Sequence, residues 1–134
     1  MKKFSVSICL VAFCLFFVSS VYAGWGPTKL EYLTAFEPSY TDDPFAPGVA
    51  GTNQIQFWSN ATFLKRLQVT YEFKSNSYPD WTIFQVSTYY STGYNTMDLW
   101  SGSSDVQYRI TFAKTDLYSA DTITVSWKYY TCCN

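Results

Sequence analysis

The stretch Leu67-Gln68-Val69-Thr70-Tyr71-Glu72-Phe73-Lys74 alternates apolar and polar side chains without a break. A period of two puts Leu67, Val69, Tyr71 and Phe73 on one face of an extended strand and their polar neighbours on the other. The pattern recurs twice more: Val106, Tyr108, Ile110 and Phe112 alternate with Gln107, Arg109 and Thr111, and Ile123, Val125, Trp127 and Tyr129 alternate with Thr122, Thr124, Ser126 and Lys128. Each segment reads as an antiparallel strand with one buried face. Weaker strands are predicted over residues 30–36, 54–58, 81–90 and 95–100, separated by the turn-rich runs SNSYPD, STGY, SGSSD and YSAD. No helical period of useful length and no internal repeat is present. The expectation is an all-β, two-sheet antiparallel sandwich, immunoglobulin-like or carbohydrate-binding-module-like, with a small barrel as the alternative. No cysteine falls on an interior strand, so apolar packing alone must join the sheets.

The first 23 residues, MKKFSVSICLVAFCLFFVSSVYA, place Lys2 and Lys3 before an apolar run and end it on small residues at Val21-Tyr22-Ala23. This is the three-part pattern of a secretory signal peptide, and the run is short for a membrane span, which needs about 20 residues. The reading is a leader over 1–23, a single β-sandwich domain over 24–134, and a secreted, extracellular protein, or a periplasmic one in a bacterium. Cys9 and Cys14 would leave with the leader. Cys132 and Cys133, adjacent in the ending WKYYTCCN, would remain. In an oxidising compartment they close on each other in a strained ring, stay as a pair of thiols, or bridge to another chain. A ring between neighbours encloses almost no loop and adds little folding entropy.

Without Lys2 and Lys3, seven of the nine Lys and Arg face ten Asp and Glu, a net charge of −3 with no basic run. Nucleic acid and anionic membrane surfaces are poor partners for such a chain. Histidine is absent, which removes Ser-His-Asp and Cys-His chemistry and histidine metal sites. Paired carboxylates can hydrolyse a glycosidic bond, but Glu72, Asp80 and Asp98 are spaced as ordinary strand and turn residues. No catalytic residue, cofactor or metal is assigned. The one long irregular stretch, residues 37–53, holds three prolines and two glycines that argue against regular pairing. Glu37, Asp42 and Asp43 there offer oxygens to calcium, but their spacing matches no defined calcium loop and a solvated acidic loop is the preferred reading.

Of 28 Phe, Tyr and Trp in the chain, five lie in the leader, leaving 23, more than one small core can comfortably use. With Tyr71, Phe73, Phe84, Tyr108, Phe112 and Trp127 assigned to the interior, Trp58, Trp81, Tyr89, Tyr90, Tyr94, Trp100 and Tyr130 are left near strand ends or on outward faces. A pyranose presents a flat C–H face that stacks on such rings, and Asn76, Asp80, Gln85, Asn95 and Asp98 could bind its rim hydroxyls. The candidate ligand-binding set is therefore Trp81, Tyr89, Tyr90, Tyr94, Trp100, Asp80 and Asn95. The competing reading is that the rings cover a second cluster or a protein interface.

The run NATFLKRLQVTYEF, residues 60–73, followed by Trp81 and then Tyr89, Asp98 and Trp100, resembles the order of features in starch- and glycogen-binding carbohydrate modules. The resemblance implies a β sandwich and carries over one sugar-binding position, Trp81. The family's downstream Trp-Asp-Asn-Asn segment has no counterpart. Asn60-Ala61-Thr62 fits an N-glycosylation acceptor, meaningful in a eukaryotic source. Two functions follow: a secreted non-catalytic module that recognises polysaccharide or glycan through outward rings, or a secreted protein-interaction domain, such as an adhesin, matrix component, toxin component or inhibitor, using the same surface. An oligomer fits either.

Overall fold

The computed structural model describes residues 24–46, 53–99, 105–116 and 120–131. The expected leader, Trp100, and the Cys132–Cys133 pair lie outside the described residues. Nine strands run in chain order among them: β1 (Gly24–Trp25), β2 (Lys29–Leu33), β3 (Ser39–Thr41), β4 (Asn53–Ser59), β5 (Leu67–Lys74), β6 (Thr82–Tyr89), β7 (Gly93–Leu99), β8 (Gln107–Lys114) and β9 (Ile123–Thr131). They form two antiparallel sheets: a five-stranded one ordered β1-β9-β4-β7 with β2 also on β9, and a four-stranded one ordered β3-β8-β5-β6. No helix occurs among the described residues, and the expected all-β sandwich is what is found.

The alternation explains the layering. In β5, β8 and β9 the odd or even apolar set turns inward, and Val69, Tyr71, Tyr108, Ile110, Phe112, Ile123, Val125 and Trp127 are each at most 1% exposed. Facing residues interlock as rings: Phe112 lies 5.7 Å from Phe57 and 5.6 Å from Trp127, joining the two sheets. Each such side chain contributes roughly 1.5–3 kcal/mol of burial, which is how a sandwich without an inter-sheet disulfide among its described residues holds together.

Two expectations need correction. The stretch from 37 to 53 is not wholly irregular: Ser39–Thr41 forms β3 against β8, and Phe45 bridges Tyr108. Proline does not prevent this, because Pro38 sits just ahead of the strand and uses only its carbonyl, which accepts the Lys114 N–H at 2.7 Å. The second concerns β6. Tyr71 faces Gln85 and Glu72 faces Ile83, so Phe84 is an extra residue in a bulge. The bulge reverses the parity of the rest of the strand. Phe84, expected inside, is 40% exposed. Tyr89, expected outside, packs against the core and meets Phe57 edge-on at 5.0 Å.

The edge where β2 and β3 face each other is closed by charge. Lys29 Nζ donates to both oxygens of Asp42 at 2.8 and 2.7 Å, and the Tyr40 hydroxyl donates to Asp42 Oδ1 at 2.8 Å. The same ammonium stands 5.1 Å from the centre of the Trp127 ring. Burial pushes the Tyr40 phenol far above its ordinary value, and its bond to Asp42 adds to the shift. Burial likewise raises the Glu31 carboxyl beside it.

Candidate functional site

The outer face of the five-stranded sheet is built by the registers of β9 with its neighbours. Trp58 lies opposite Ser126 on one side and Tyr94 on the other; Gln56 lies opposite Lys128 and Thr96; Gln54 lies opposite Tyr130 and Asp98. Leu30 continues the first row beyond Ser126, and Trp25 continues the last beyond Tyr130. Residues opposite one another share a face, and rows two residues apart stand roughly 7 Å apart. The face therefore reads as an aromatic row (Trp58, Tyr94), a polar row (Lys128, Gln56, Thr96), and a second row carrying Trp25 and Tyr130 about 14 Å from the first.

The first two rows enclose a shallow depression of about 190 Å³, lined by Thr28, Gln56, Trp58, Tyr94, Ser126 and Lys128, with Phe57 and Trp127 from the sheet beneath. That is below the roughly 300–1,000 Å³ of an enclosing small-molecule pocket, so the site suits something laid flat across a sheet. Tyr94 is 77% exposed and Trp25 is 42% exposed. Trp25 meets Tyr130 edge-on at 5.3 Å, and Lys128 Nζ is 4.6 Å from the centre of the Trp25 ring. Gln54 Nε2 donates to Asp98 Oδ1 at 2.7 Å, which fixes both amide and carboxylate in the second aromatic row.

The candidate residues read from the sequence do not form one site. Tyr94 belongs to this face. Asn95, next in the chain, is on the other side of the sheet, opposite Phe57. Tyr89 is in the core margin. Tyr90 is exposed at the loop after β6, 6.5 Å from Phe63. Asp80 lies in the loop before β6, where its carbonyl accepts the Thr82 hydroxyl at 3.2 Å. Trp100 lies outside the described residues.

Trp81 needs separate treatment, because the starch-module resemblance rests its sugar contact there. Its ring centre has Arg109 Cζ at 4.4 Å and Lys74 Nζ at 4.9 Å. Arg109 is itself held by two bonds of 2.9 Å to the Glu72 carboxylate. Trp81 is thus half-buried over the outer face of the four-stranded sheet and engaged by cations from this chain.

Asn60 is half-buried; its carboxamide oxygen accepts the Thr124 N–H at 2.9 Å. Asp42 is taken by Lys29, while Glu37 and Asp43 are exposed, and no group of three or more His, Cys, Asp or Glu gathers among the described residues. The calcium alternative thus has no cluster of ligands among them. No described helix is long and apolar enough to cross a membrane.

Sequence reasoning set Trp58 among the outward rings but missed Gln56, Ser126 and Lys128 as its companions. The signal for the last two was available in the alternation of β9, which turns Trp127 inward and so turns both of its neighbours out.

No family model and no curated sequence matches the chain. Among solved structures, it is similar to the mitogen derived from Yersinia pseudotuberculosis, with a TM-score of 0.52 and 6% identity over 82% of this chain and 87% of that one. A likeness at that identity extends to the fold alone.

Proposed function

We propose that the protein is an exported, non-catalytic binding module that takes a glycan on the outer face of its five-stranded sheet. The observation that carries this reading is the polar row Lys128, Gln56, Thr96 set between rows bearing Trp58 and Tyr94 on one side and Trp25 and Tyr130 on the other. A sugar ring stacks its C–H face on Trp58 or Tyr94, and its hydroxyls bond to the amide of Gln56, the ammonium of Lys128 and the hydroxyls of Thr96 and Ser126. The separation of the aromatic rows suits an oligosaccharide better than a single sugar. The shallow, open depression favours a segment of a longer chain. Starch and glycogen are the first polysaccharides to try, although the contacts proposed here are not those that the module resemblance assigns to Trp81.

Tryptophan fluorescence on addition of soluble polysaccharides, alongside a glycan array, tests the reading. A shift for the native protein that is lost in Trp58→Ala supports it. No signal with any glycan, at concentrations where weak lectins respond, sinks it.

A second reading, a protein-interaction domain, is favoured by β6. It is the outer strand of its sheet, carries no charged residue or proline, and exposes Ile83, Phe84 and Val86 at 61%, 40% and 47%. Natural edge strands are usually guarded by charge, proline, a bulge or a covering element; β6 carries the bulge at Phe84 but no charge or proline, and its regularly paired part from Gln85 to Tyr89 suits addition of an extended segment from a partner. The likeness to a mitogen agrees with this reading in fold alone.

A further inference from the structure

Loops 34–38, 60–66 and 90–92 follow β2, β4 and β6 at one end of the sandwich, and the side chains they carry are not those of ordinary surface turns. Phe36 is 97% exposed, Leu64 79%, Phe63 67% and Tyr90 51%. Tight turns normally place Gly, Asn, Asp, Ser or Pro at their apices. Here Phe36 and the Phe63-Leu64 pair occupy them. Large apolar groups in that position gain nothing from folding, so their benefit lies in something outside the chain.

Both turns are braced from within. Thr34 N donates to Glu37 O at 3.0 Å, and Thr34 Oγ1 accepts from Phe36 N at 3.3 Å and Glu37 N at 3.0 Å. Thr62 N donates to Lys65 O at 2.9 Å, and Thr62 Oγ1 accepts from Lys65 N at 3.3 Å. Both turns are thus held in shape by bonds of Thr34 and Thr62 to the residues two or three positions on, so the apolar side chains at their apices are presented on braced backbone. Behind the apices, Arg66 Cζ sits 4.9 Å from the Phe63 ring centre and 5.5 Å from that of Tyr90, while Arg66 Nε donates to Phe63 O at 3.1 Å. A cation and a phenol set back from apolar tips match the order of a bilayer surface, headgroups above and acyl chains below.

We infer that this end of the sandwich docks on the surface of a zwitterionic phospholipid bilayer, inserting Phe36, Phe63 and Leu64 as shallow wedges. Two features select a membrane over a protein partner and an uncharged one over an anionic one. The tips stand on separate loops, β2 and β4 being separated in the sheet by β9, roughly 10 Å apart, although Phe63 and Leu64 also border an open depression of about 310 Å³ with Arg66, Thr115 and Asp116. A fluid bilayer admits such projections individually, whereas a protein would need a matched socket for each. Of the described charges at this end, Lys65 and Arg66 stand against Glu37, Asp116 and Asp121, with Lys114 buried, so nothing favours an anionic surface.

Sedimentation of the protein with phosphatidylcholine vesicles, and with vesicles containing phosphatidylserine, tests the inference. Binding to the first is expected. Leu64→Ser and Phe36→Ser should each weaken it roughly tenfold, the scale of withdrawing one such side chain from water-free surroundings. Both residues are exposed, so thermal unfolding should be unchanged and misfolding does not confuse the result. In a second measurement Leu64→Trp should gain a blue-shifted emission component on adding phosphatidylcholine vesicles. Binding confined to phosphatidylserine and abolished by salt would overturn insertion in favour of surface charge. A protein that stays in solution with every vesicle would overturn the inference and leave the tips to a protein partner. Neither result bears on glycan binding, whose site lies on the broad face of one sheet.

Discussion

The two outer faces of the sandwich obey the same alternation and carry similar residues, yet one is closed and the other open. On the four-stranded sheet, Glu72 and Arg109 are paired across β5 and β8, Trp81 lies against Arg109 and Lys74, and Thr41 and Thr111 share a hydroxyl bond of 2.9 Å. On the five-stranded sheet, Trp58 and Tyr94 flank a depression whose floor is Gln56, Ser126 and Lys128. A tryptophan on a sheet surface is therefore not a binding group by virtue of being there. Both rings are half-buried; the difference is that Trp81 has Arg109 and Lys74 over its ring, whereas Trp58 borders an open depression beside Gln56, Ser126 and Lys128.

The sharpest way to break this contrast is to remove rings from each face in turn. Trp58→Ala combined with Tyr94→Ala should lower glycan affinity on the order of 1000-fold, since aromatic anchors in interfaces each contribute about 2 kcal/mol; saccharide titration followed by fluorescence or NMR reads the loss. Trp81→Ala should leave that affinity unchanged and lower unfolding stability by about 1–2 kcal/mol, from two cation–ring contacts of which one is partly desolvated; urea denaturation measures it. Equal loss of glycan binding in both variants would erase the distinction between the faces.

Smaller effects sharpen it. Glu72→Gln removes the partner of Arg109, but the two side chains are 15% and 28% exposed, so screening limits the cost to about 0.5–1 kcal/mol; the same denaturation curve should show it. The last comparison is between the interior and the surface in alkali. Tyr71, shifted upward by burial and then by the Tyr89 phenol, and Tyr40, shifted upward by burial and by Asp42, hold their protons more tightly folded than unfolded. The unfolded chain then binds fewer protons than the native one above the ordinary phenol value near 10. Their contribution is complete below that pH and is lost as pH rises beyond it. Neutral-pH stability should not change, and unfolding temperature should fall progressively above about pH 10, the more so in the native chain than in Tyr40→Phe.

How far the sequence revealed this depends on whether a feature is local. In β5, β8 and β9 the two-residue period is intrinsic to the chain, and the layering follows directly. The bulge at Phe84 is not local: it arises where β6 must match β5 on one side only, and no single strand's pattern announces it. That one extra residue sends Tyr89 into the core margin. β3 was hidden for a different reason, being three residues between prolines whose pairing depends on β8, some 70 positions away. The candidate site shows the same division. Each of Trp58, Tyr94 and Lys128 can be read as outward from its own strand, but their assembly into rows is fixed by the pairing of β4 with β7 and β9. Trp81 reads as a free ring until Lys74 and Arg109 arrive from two other strands.

The pairing of β1 with the end of β9, Gly24 opposite Thr131 and Trp25 opposite Tyr130, has an architectural consequence. Any polypeptide joined before Gly24 and any joined after Thr131 would depart from one pole, a single strand spacing of about 5 Å apart. That pole is opposite the loops bearing Phe36 and Leu64. Grafted into a host through a pair of short linkers, the sandwich would behave as a stalked head, held at its base with its apolar crown outermost and the outer faces of its two sheets along the sides.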